Sequence, residues 1–546
     1  MVPCCALALY TAHNTNAAPA DFGEDEMADG VHSGPTIATQ ALRALSRYPD
    51  RTAFVFGNSS LSYRGAIDLI ARMQAVFLEH GLRRGQRIAL LSANRADAWC
   101  AGIAASASGL STTFLHPLGS LADQIDQLED GECAALIVDA AAFLERGGEL
   151  ATRASGLTAV YTLGPAEYGF DLLRAAEAIG SASAHDLASS DEIAVLNYTG
   201  GTTGKSKGAI RTHAQVTAYS TSILADFEIP IAPRYLLIAP MSHVAGTKIL
   251  PSLMLGGTVH LLRGFDPDAV LATIARERIN VTLLVPTMIY LLLDHPTLSR
   301  TDTSSLELLL YGASPMSPAR LLEALERIGP VFSQLYGQTE CYPISVLRKA
   351  DHDRQRPELF SSCGVPVASC NVKVFDESDQ EVEPGQPGEI CVRAAHAVSQ
   401  YWKRPQETEA LFRNGWLHTG DIARTDEKGY LYILDRKKDM IVSGGFNIYP
   451  RDVEDALSGH PDVAMACVIG IPDSKWGEAV CALVVPKPGT RPTVESLVQF
   501  VKERKGSTHA PKRVVFVGEL PLTPVGKVDK KIVRAPYWRG HQRMVG

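Results

Sequence analysis

From Thr36 onward, short apolar runs alternate with amphipathic stretches. Arg87-Ile-Ala-Leu-Leu, Ala135-Leu-Ile-Val, Ile193-Ala-Val-Leu-Asn-Tyr, Tyr235-Leu-Leu-Ile-Ala, Val259-His-Leu-Leu, Val281-Thr-Leu-Leu-Val, Leu308-Leu-Leu-Tyr and Val331-Phe-Ser-Gln-Leu read as buried strands. Their nearly unbroken apolarity suits strands covered on both faces. The stretches between them carry helical signals. Asp266-Pro267 offers an N-cap and a first helical residue, after which Val270, Leu271, Ile274 and Ala275 fall on one face. Ala98 to Ser111, rich in small residues, reads as a packed helix. The alternation predicts an α/β fold of parallel sheets covered by helices. Ligands of such sheets sit beyond the carboxyl ends of the strands. Polar, Gly-rich segments follow Tyr198, Ala239, Tyr311 and Tyr336, and four such segments suggest one shared cleft.

After Gly364 the pattern changes. Asn371-Val-Lys-Val-Phe and Gly388-Glu-Ile-Cys-Val-Arg alternate as half-buried strands between Pro/Gly turns. Asp435-Arg-Lys-Lys-Asp is a polar break, and mixed strands and helices follow it. The expected organisation is a large N-terminal domain over 34–434 with a β-rich unit at 364–434. A connector at 435–439 leads to a small α+β domain at 440–546. A length of 546 residues is too great for one core. Residues 1–33 hold no Lys or Arg and read as a disordered leader, and a start at Met27 stays open.

Composition narrows the function classes. The 52 Lys+Arg against 60 Asp+Glu, net −8, give no reason to expect a nucleic-acid partner. No run of 18 apolar residues is present, so stable membrane insertion is not expected. The ten cysteines show neither zinc-ribbon nor thioredoxin spacing and read as reduced, mostly buried thiols of a cytoplasmic protein.

The strongest local signal is Tyr198-Thr-Gly-Gly-Thr-Thr-Gly-Lys-Ser-Lys-Gly208. Glycines let backbone N–H groups turn toward an anion, threonine hydroxyls add donors and lysines add charge. This loop is not the common P-loop: Gly200 and Gly204 enclose three residues where that motif has four. A P-loop motor or transporter component is therefore the weaker reading.

Further segments follow in order: APMSHVAG at 239–246, YGASPMS at 311–317, LYGQTE at 335–340, WLHTGD at 416–421, DRKKDMIVSGGFNIYP at 435–450 and PLTPVGKVDKK at 521–531. Together with the loop they resemble the adenylate-forming superfamily of acyl-CoA synthetases, peptide-synthetase adenylation domains and luciferases, most closely the fatty-acyl- and aryl-CoA ligases. The resemblance implies a large domain of two helix-covered sheets and a small β-barrel, followed by a mobile small α+β domain. It also implies roles. Thr199, Gly200, Gly201, Thr202, Thr203, Gly204 and Lys207 would hold the ATP phosphates. Glu340 would take Mg²⁺, and Thr339 the AMP phosphate. Gly312, Ala313, Ser314, Tyr336 and Gly337 would frame the adenine. Asp421 and Arg436 would meet the ribose. Lys527 would stabilise the charge that builds on carboxylate and phosphate oxygens together. His243 would gate the carboxylate end of an acyl pocket walled by Ala239, Met241, Val244, Thr247, Lys248, Gly312, Gly337, Cys341 and Tyr342. Lys248 would suit a second carboxylate, but by the general rarity of buried lysine it is expected to face outward.

An acyl-AMP needs an acceptor. The resemblance assigns Lys438 to a hinge and Ser443, Gly444 and Gly445 to a tunnel for the pantetheine of CoA, with a plain turn as the alternative reading of the two glycines. The implied activity is an ATP-dependent carboxylic acid–CoA ligase, an enzyme using ATP, Mg²⁺ and CoA on an aromatic or medium-chain acid. Loading of a carrier-protein thiol is the alternative, and assembly as a homodimer stays open. Pro240-Met-Ser-His-Val offers no acidic residue for an α-amino group, which argues against amino-acid substrates.

Overall fold

The computed structural model describes residues 34–199, 206–523 and 527–539. The leader at 1–33 and loop residues Gly200, Gly201, Thr202, Thr203 and Gly204 lie outside the described residues. Among the described residues, four sheets build the body spanning Pro35–Gly546.

The first sheet has parallel strands Thr52–Phe56, Thr258–Leu261, Arg234–Leu237, Val281–Leu284, Leu308–Gly312 and Phe332–Gln338 as neighbours in that order. Cys341–Leu347 and Val365–Pro366 close one edge antiparallel, and Ser59–Ser62 closes the other. The second sheet is centred on parallel strands Ile193–Thr199, Ser111–Phe114, Arg87–Leu91, Cys133–Val138 and Ala159–Thr162. Lys207–Thr212 and Gln400–Tyr401 extend it antiparallel. Two of the four expected cleft segments, after Tyr198 and after Tyr336, are thus hairpin connections at sheet edges, not strand-to-helix turns.

Helices Ile37–Arg47, Tyr63–Glu79, Ala96–Ala107, His213–Asp226 and Ile249–Met254 meet side chains of both sheets in one core. The sequence of Ala96–Ala107 explains its position. It is small and apolar on all sides, and ten of its twelve residues are buried. Outer helices are amphipathic and capped: Asp266 accepts from Ala269 N, and Pro267 opens Pro267–Glu277. With Pro286–Asp294 and Pro318–Arg327, that helix covers the far face of the first sheet.

The third sheet, Cys370–Phe375, Gly388–Ala394, Trp416–Thr425, Phe412–Arg413 and Leu431–Arg436, is antiparallel throughout. The fourth sheet starts beyond the Asp435 break, with Ile441–Ser443, Phe446–Ile448, Val463–Asp473, Gly477–Pro486 and Arg513–Phe516. It packs its own apolar core against helices Pro450–Ser458 and Val494–Lys505. No described helix is long and apolar enough to cross a membrane.

Candidate active site

The ends of these strands bring distant segments together. Lys207 pairs with Thr199 across the hairpin, and the next strand out carries Tyr401 opposite Ala209. The Tyr401 hydroxyl donates to Glu340 Oε1, and Lys207 Nζ lies 5.2 Å from the centre of the Tyr401 ring. One tyrosine therefore links the lysine of the phosphate loop to the acidic residue of LYGQTE. The backbone beneath Glu340 is held as well. Val398 N donates to Glu340 O at 2.8 Å, and the buried guanidinium of Arg211 donates through Nη2 to Thr339 O. Tyr401, Arg211 and Val398 belong to none of the motif segments. No local pattern singles them out, because their role depends on the pairing of Gln400–Tyr401 with Lys207–Thr212.

Asp421 lies in the long strand Trp416–Thr425 and is 4% exposed. Its Oδ2 accepts from the Tyr336 hydroxyl at 2.6 Å, and its Oδ1 lies 3.0 Å from Arg436 Nε. The register that pairs Asp421 with Arg436 sets this geometry directly. Tyr336, expected as a stacking ring, also orients the carboxylate. Gly312 leaves room at the strand end: a Cβ there would stand 2.3 Å from Leu335 O. Ala313 follows with φ +66°, a left-handed conformation uncommon outside glycine, and Ser314 is half-buried beside it.

Lys527 reaches this group from the C-terminal segment. Burial, with Arg436 acting the same way, lowers its pKa to about 8, while Asp421 opposes the shift. His243 feels it too. Burial, the His116 ring and then Lys527 push the His243 pKa down to about 3, so the imidazole is neutral at physiological pH. The His243 Nδ1 shares a 2.8 Å hydrogen bond with Ser242 Oγ, and its ring meets His116 edge-on at 4.5 Å.

The turn that presents His243 depends on two residues. Asn94 is buried. Its Nδ2 donates to Ile238, Ala239 and Leu262 carbonyls at 2.9–3.2 Å, and its Oδ1 accepts from Met241 N at 2.8 Å. Gly246 is required because a Cβ would overlap Met241 O at 1.8 Å. Ala239, Met241 and Val244 line the apolar side of this turn, with Thr247 one step on.

Two expectations need correcting. Cys341 does not face the His243 side. It packs in a separate core with Ala209, Ile344 and Ile390, while its neighbour Tyr342 faces the turn. Lys248 does not face outward. It is fully buried, its Nζ donating to Val244 O at 3.2 Å, Thr247 Oγ1 at 3.0 Å and the Tyr342 hydroxyl. The Nζ stands 4.4 Å and 5.2 Å from the ring centres of Tyr342 and Phe227. Three acceptors and two ring faces offset the burial that a surface lysine avoids. Burial holds its pKa well below the ordinary lysine value. Between that lowered value and the unfolded value of about 10.4, the unfolded chain carries more protons, so this group makes stability rise with pH. The melting temperature of the native chain relative to Lys248→Met is therefore expected to climb through the alkaline range. A difference that stays flat with pH would show that Lys248 titrates normally.

The small sheet holds the remaining expected residues. Ser443 ends Ile441–Ser443, and Phe446 starts the strand that pairs back on it. Gly444 and Gly445, at φ +60° and +82°, form the two-residue turn between them. Such a turn asks for positive φ at both centres, which accounts for both glycines. Space around them differs: a Cβ on Gly444 would meet the Trp476 ring at 2.6 Å, whereas nothing lies within 4 Å at Gly445. In the connector, Lys437 N donates to Gly420 O at 2.9 Å and Asp439 pairs with Arg534 at 2.9 Å. Lys438 is drawn below its usual pKa, first by burial and then by Arg436.

Comparison with known proteins identifies the family. The chain is 44% identical over 535 residues to a medium/long-chain-fatty-acid–CoA ligase, FadD8, of Mycobacterium tuberculosis, covering 94% of this chain and 92% of that protein. It is 35% identical over 506 residues to a feruloyl-CoA synthase of an Amycolatopsis species, covering 91% and 98%. The solved structure of the amide bond synthetase McbA from Marinactinospora thermotolerans superposes with a TM-score of 0.85 at 34% identity, over 92% of this chain and 100% of that one. Residues 41–402 match the family described as AMP-binding enzyme, and residues 452–527 match the AMP-binding enzyme C-terminal domain. The chain belongs to the AMP-binding enzyme family.

Proposed function

We propose that the protein is an ATP-dependent carboxylic acid–CoA ligase acting on a medium-chain or aromatic acid. The observation that supports this reading is electrostatic: the charge of Lys527, from the C-terminal segment, is felt by His243, and Lys527 in turn feels Arg436 and Asp421.

In the first reaction the acid enters along Ala239, Met241, Val244 and Thr247 with its carboxylate toward His243. A neutral His243 neither repels nor protonates that carboxylate. Asp421, fixed by Tyr336 and Arg436, accepts the ribose hydroxyls, and the Gly312–Ser314 turn with Tyr336 and Gly337 frames the adenine. A carboxylate oxygen attacks the α-phosphorus, the bond to the β-phosphate oxygen breaks, and pyrophosphate leaves toward Lys207 and the loop from Thr199. Lys527 holds the negative charge shared by the attacking carboxylate and the α-phosphate. Mg²⁺ takes few protein carboxylates plus phosphate oxygens. The single carboxylate of Glu340 beside the Tyr401 hydroxyl fits that need, and the ion when bound would neutralise phosphate charge. In the second reaction the thiolate of CoA attacks the acyl carbon, AMP leaves, and a thioester forms. The 435–439 connector, with Lys438, would act as the hinge between the two reactions, and Ser443 with the Gly444–Gly445 turn would admit the pantetheine chain.

The relatives favour this reading and divide over the acid, one named for medium and long fatty acids and one for ferulate. The amide bond synthetase supplies a rival acceptor, an amine in place of a thiol. A screen of medium-chain, long-chain and aromatic acids for pyrophosphate release, with CoA and with simple amines as acceptors, tests both points. Pyrophosphate release without any thioester would overturn the CoA assignment. Gly445→Leu is expected to keep acyl-adenylate formation within about threefold, the turn strain being about 1–2 kcal/mol at a position with open space around it. Thioester formation by the same variant is expected to fall by about two orders of magnitude. Equal loss of both reactions would remove the tunnel role.

A further inference from the structure

Next to Glu340 in the chain begins a cluster that the cysteine spacing did not reveal. Cys341 opens the strand Cys341–Leu347, Cys370 opens Cys370–Phe375, and His396 sits in the turn after Gly388–Ala394. One sulfur from each cysteine and one ring nitrogen of His396 all lie within 4.8 Å of one another. Cys341 and His396 are fully buried, and Cys370 is partly exposed, which leaves an approach from one side.

We propose that Cys341, Cys370 and His396 bind a thiophilic d¹⁰ metal ion of the zinc type. The distances match the chemistry. A tetrahedral zinc with bonds of about 2.3 Å to sulfur and about 2.0–2.1 Å to nitrogen separates those two ligands by about 3.6 Å. Cys370 Sγ and His396 Nε2 stand 3.6 Å apart. The Pro343 carbonyl accepts from His396 Nε2 at 2.8 Å and from Cys370 Sγ at 3.3 Å, so metal binding would displace both hydrogen bonds. Binding would release the two thiol protons and place both sulfurs on the metal as thiolates.

The site bears on the proposed reaction through the backbone. Cys341 is the next residue after Glu340. Two residues beyond His396, Val398 N holds Glu340 O, and Arg211 spans the His396 and Thr339 carbonyls. Drawing three side chains in around one ion would shift Glu340, and displacements of about 1 Å at a reacting centre cost on the order of 10²-fold. This coupling rests on the role given to Glu340, whereas the metal site does not.

The test titrates full-length, phosphine-reduced protein with Zn²⁺ against a chromophoric chelator, and with Co²⁺ while near-ultraviolet absorption is followed. One equivalent of tight Zn²⁺ and a thiolate-to-cobalt charge-transfer band are expected. Cys370→Ser, a near-isosteric change at a partly exposed position, should weaken binding at least tenfold and shrink the band. His396→Gln should weaken binding similarly, and Cys391→Ser should leave it unchanged. No stoichiometric binding, or equal affinity in Cys370→Ser with an unaltered thermal melt, would overturn the site. Zn²⁺ should also slow acid-dependent pyrophosphate exchange at least tenfold in the native chain but not in Cys370→Ser. Binding with an unchanged exchange rate would overturn the coupling alone.

Discussion

Lys527→Ala is expected to lower acid-dependent pyrophosphate exchange by about 10²–10³-fold, the scale of losing one preorganised donor at a developing oxyanion. Thioester formation from supplied acyl-AMP and CoA should stay within a few-fold of the native rate, because the phosphoryl transfer is then already complete. The contrast separates a charge-stabilising role from a structural one, which would depress both rates. The pH profile adds an independent check. Lys527 has a pKa near 8 in the free protein, lowered by burial and by Arg436. Only the ammonium carries the charge the reaction needs, so kcat/KM for adenylation should fall as pH rises through about 8. That quantity reports the free enzyme. Lys527→Arg stays protonated throughout this range and should lose the alkaline limb, even where its absolute rate is low. Native pyrophosphate exchange in Lys527→Ala would remove the residue from the mechanism.

Much of the framework was legible because it is written locally. Runs such as Val281-Thr-Leu-Leu could only be strands covered on both faces, and Asp266-Pro267 both starts and caps its helix. The tight fit of two glycines was not legible: Gly246 and Gly312 were read only as members of their segments, and a Cβ would overlap a carbonyl in each case. What escaped depends on pairing between distant segments. Tyr401 reaches Glu340 only because its short strand adds to the edge of the second sheet, and Asn94 organises the His243 turn from another sheet altogether. Cys341 and Tyr342 were both expected in the acyl wall; adjacent residues of one strand do not share a face, and only Tyr342 packs with the His243 turn. Lys248 was misread because rarity of burial says nothing about a site that supplies three acceptors and two ring faces. The turn at Gly444 and Gly445 satisfies its glycines by hairpin geometry alone, so its part in thiol entry has to be established by kinetics.

Asp421→Ala should raise the KM for ATP by about 10²-fold and cut kcat/KM for adenylation further, to about 10³-fold in all. Two charged or polar hydrogen bonds to the ribose would be lost, each worth about 1.5–3 kcal/mol where the partner is ionised. The same change strands the Tyr336 hydroxyl and removes the counter-charge of Arg436. Asp421→Asn keeps an oxygen that can accept from Tyr336 and should therefore lose less in KM. The two substitutions share one further effect, because Asp421 is the group that holds the Lys527 pKa up against burial and Arg436. Without the carboxylate, the alkaline limb of the adenylation profile should move to lower pH in both variants. Arg436→Ala removes a repelling cation and should move the limb the other way. Opposite displacements from two residues that contact each other at 3.0 Å would tie the limb to the charge balance around Lys527. A limb that stays in place in both variants would mean that some other group sets it, and that Lys527 is not poised by this pair.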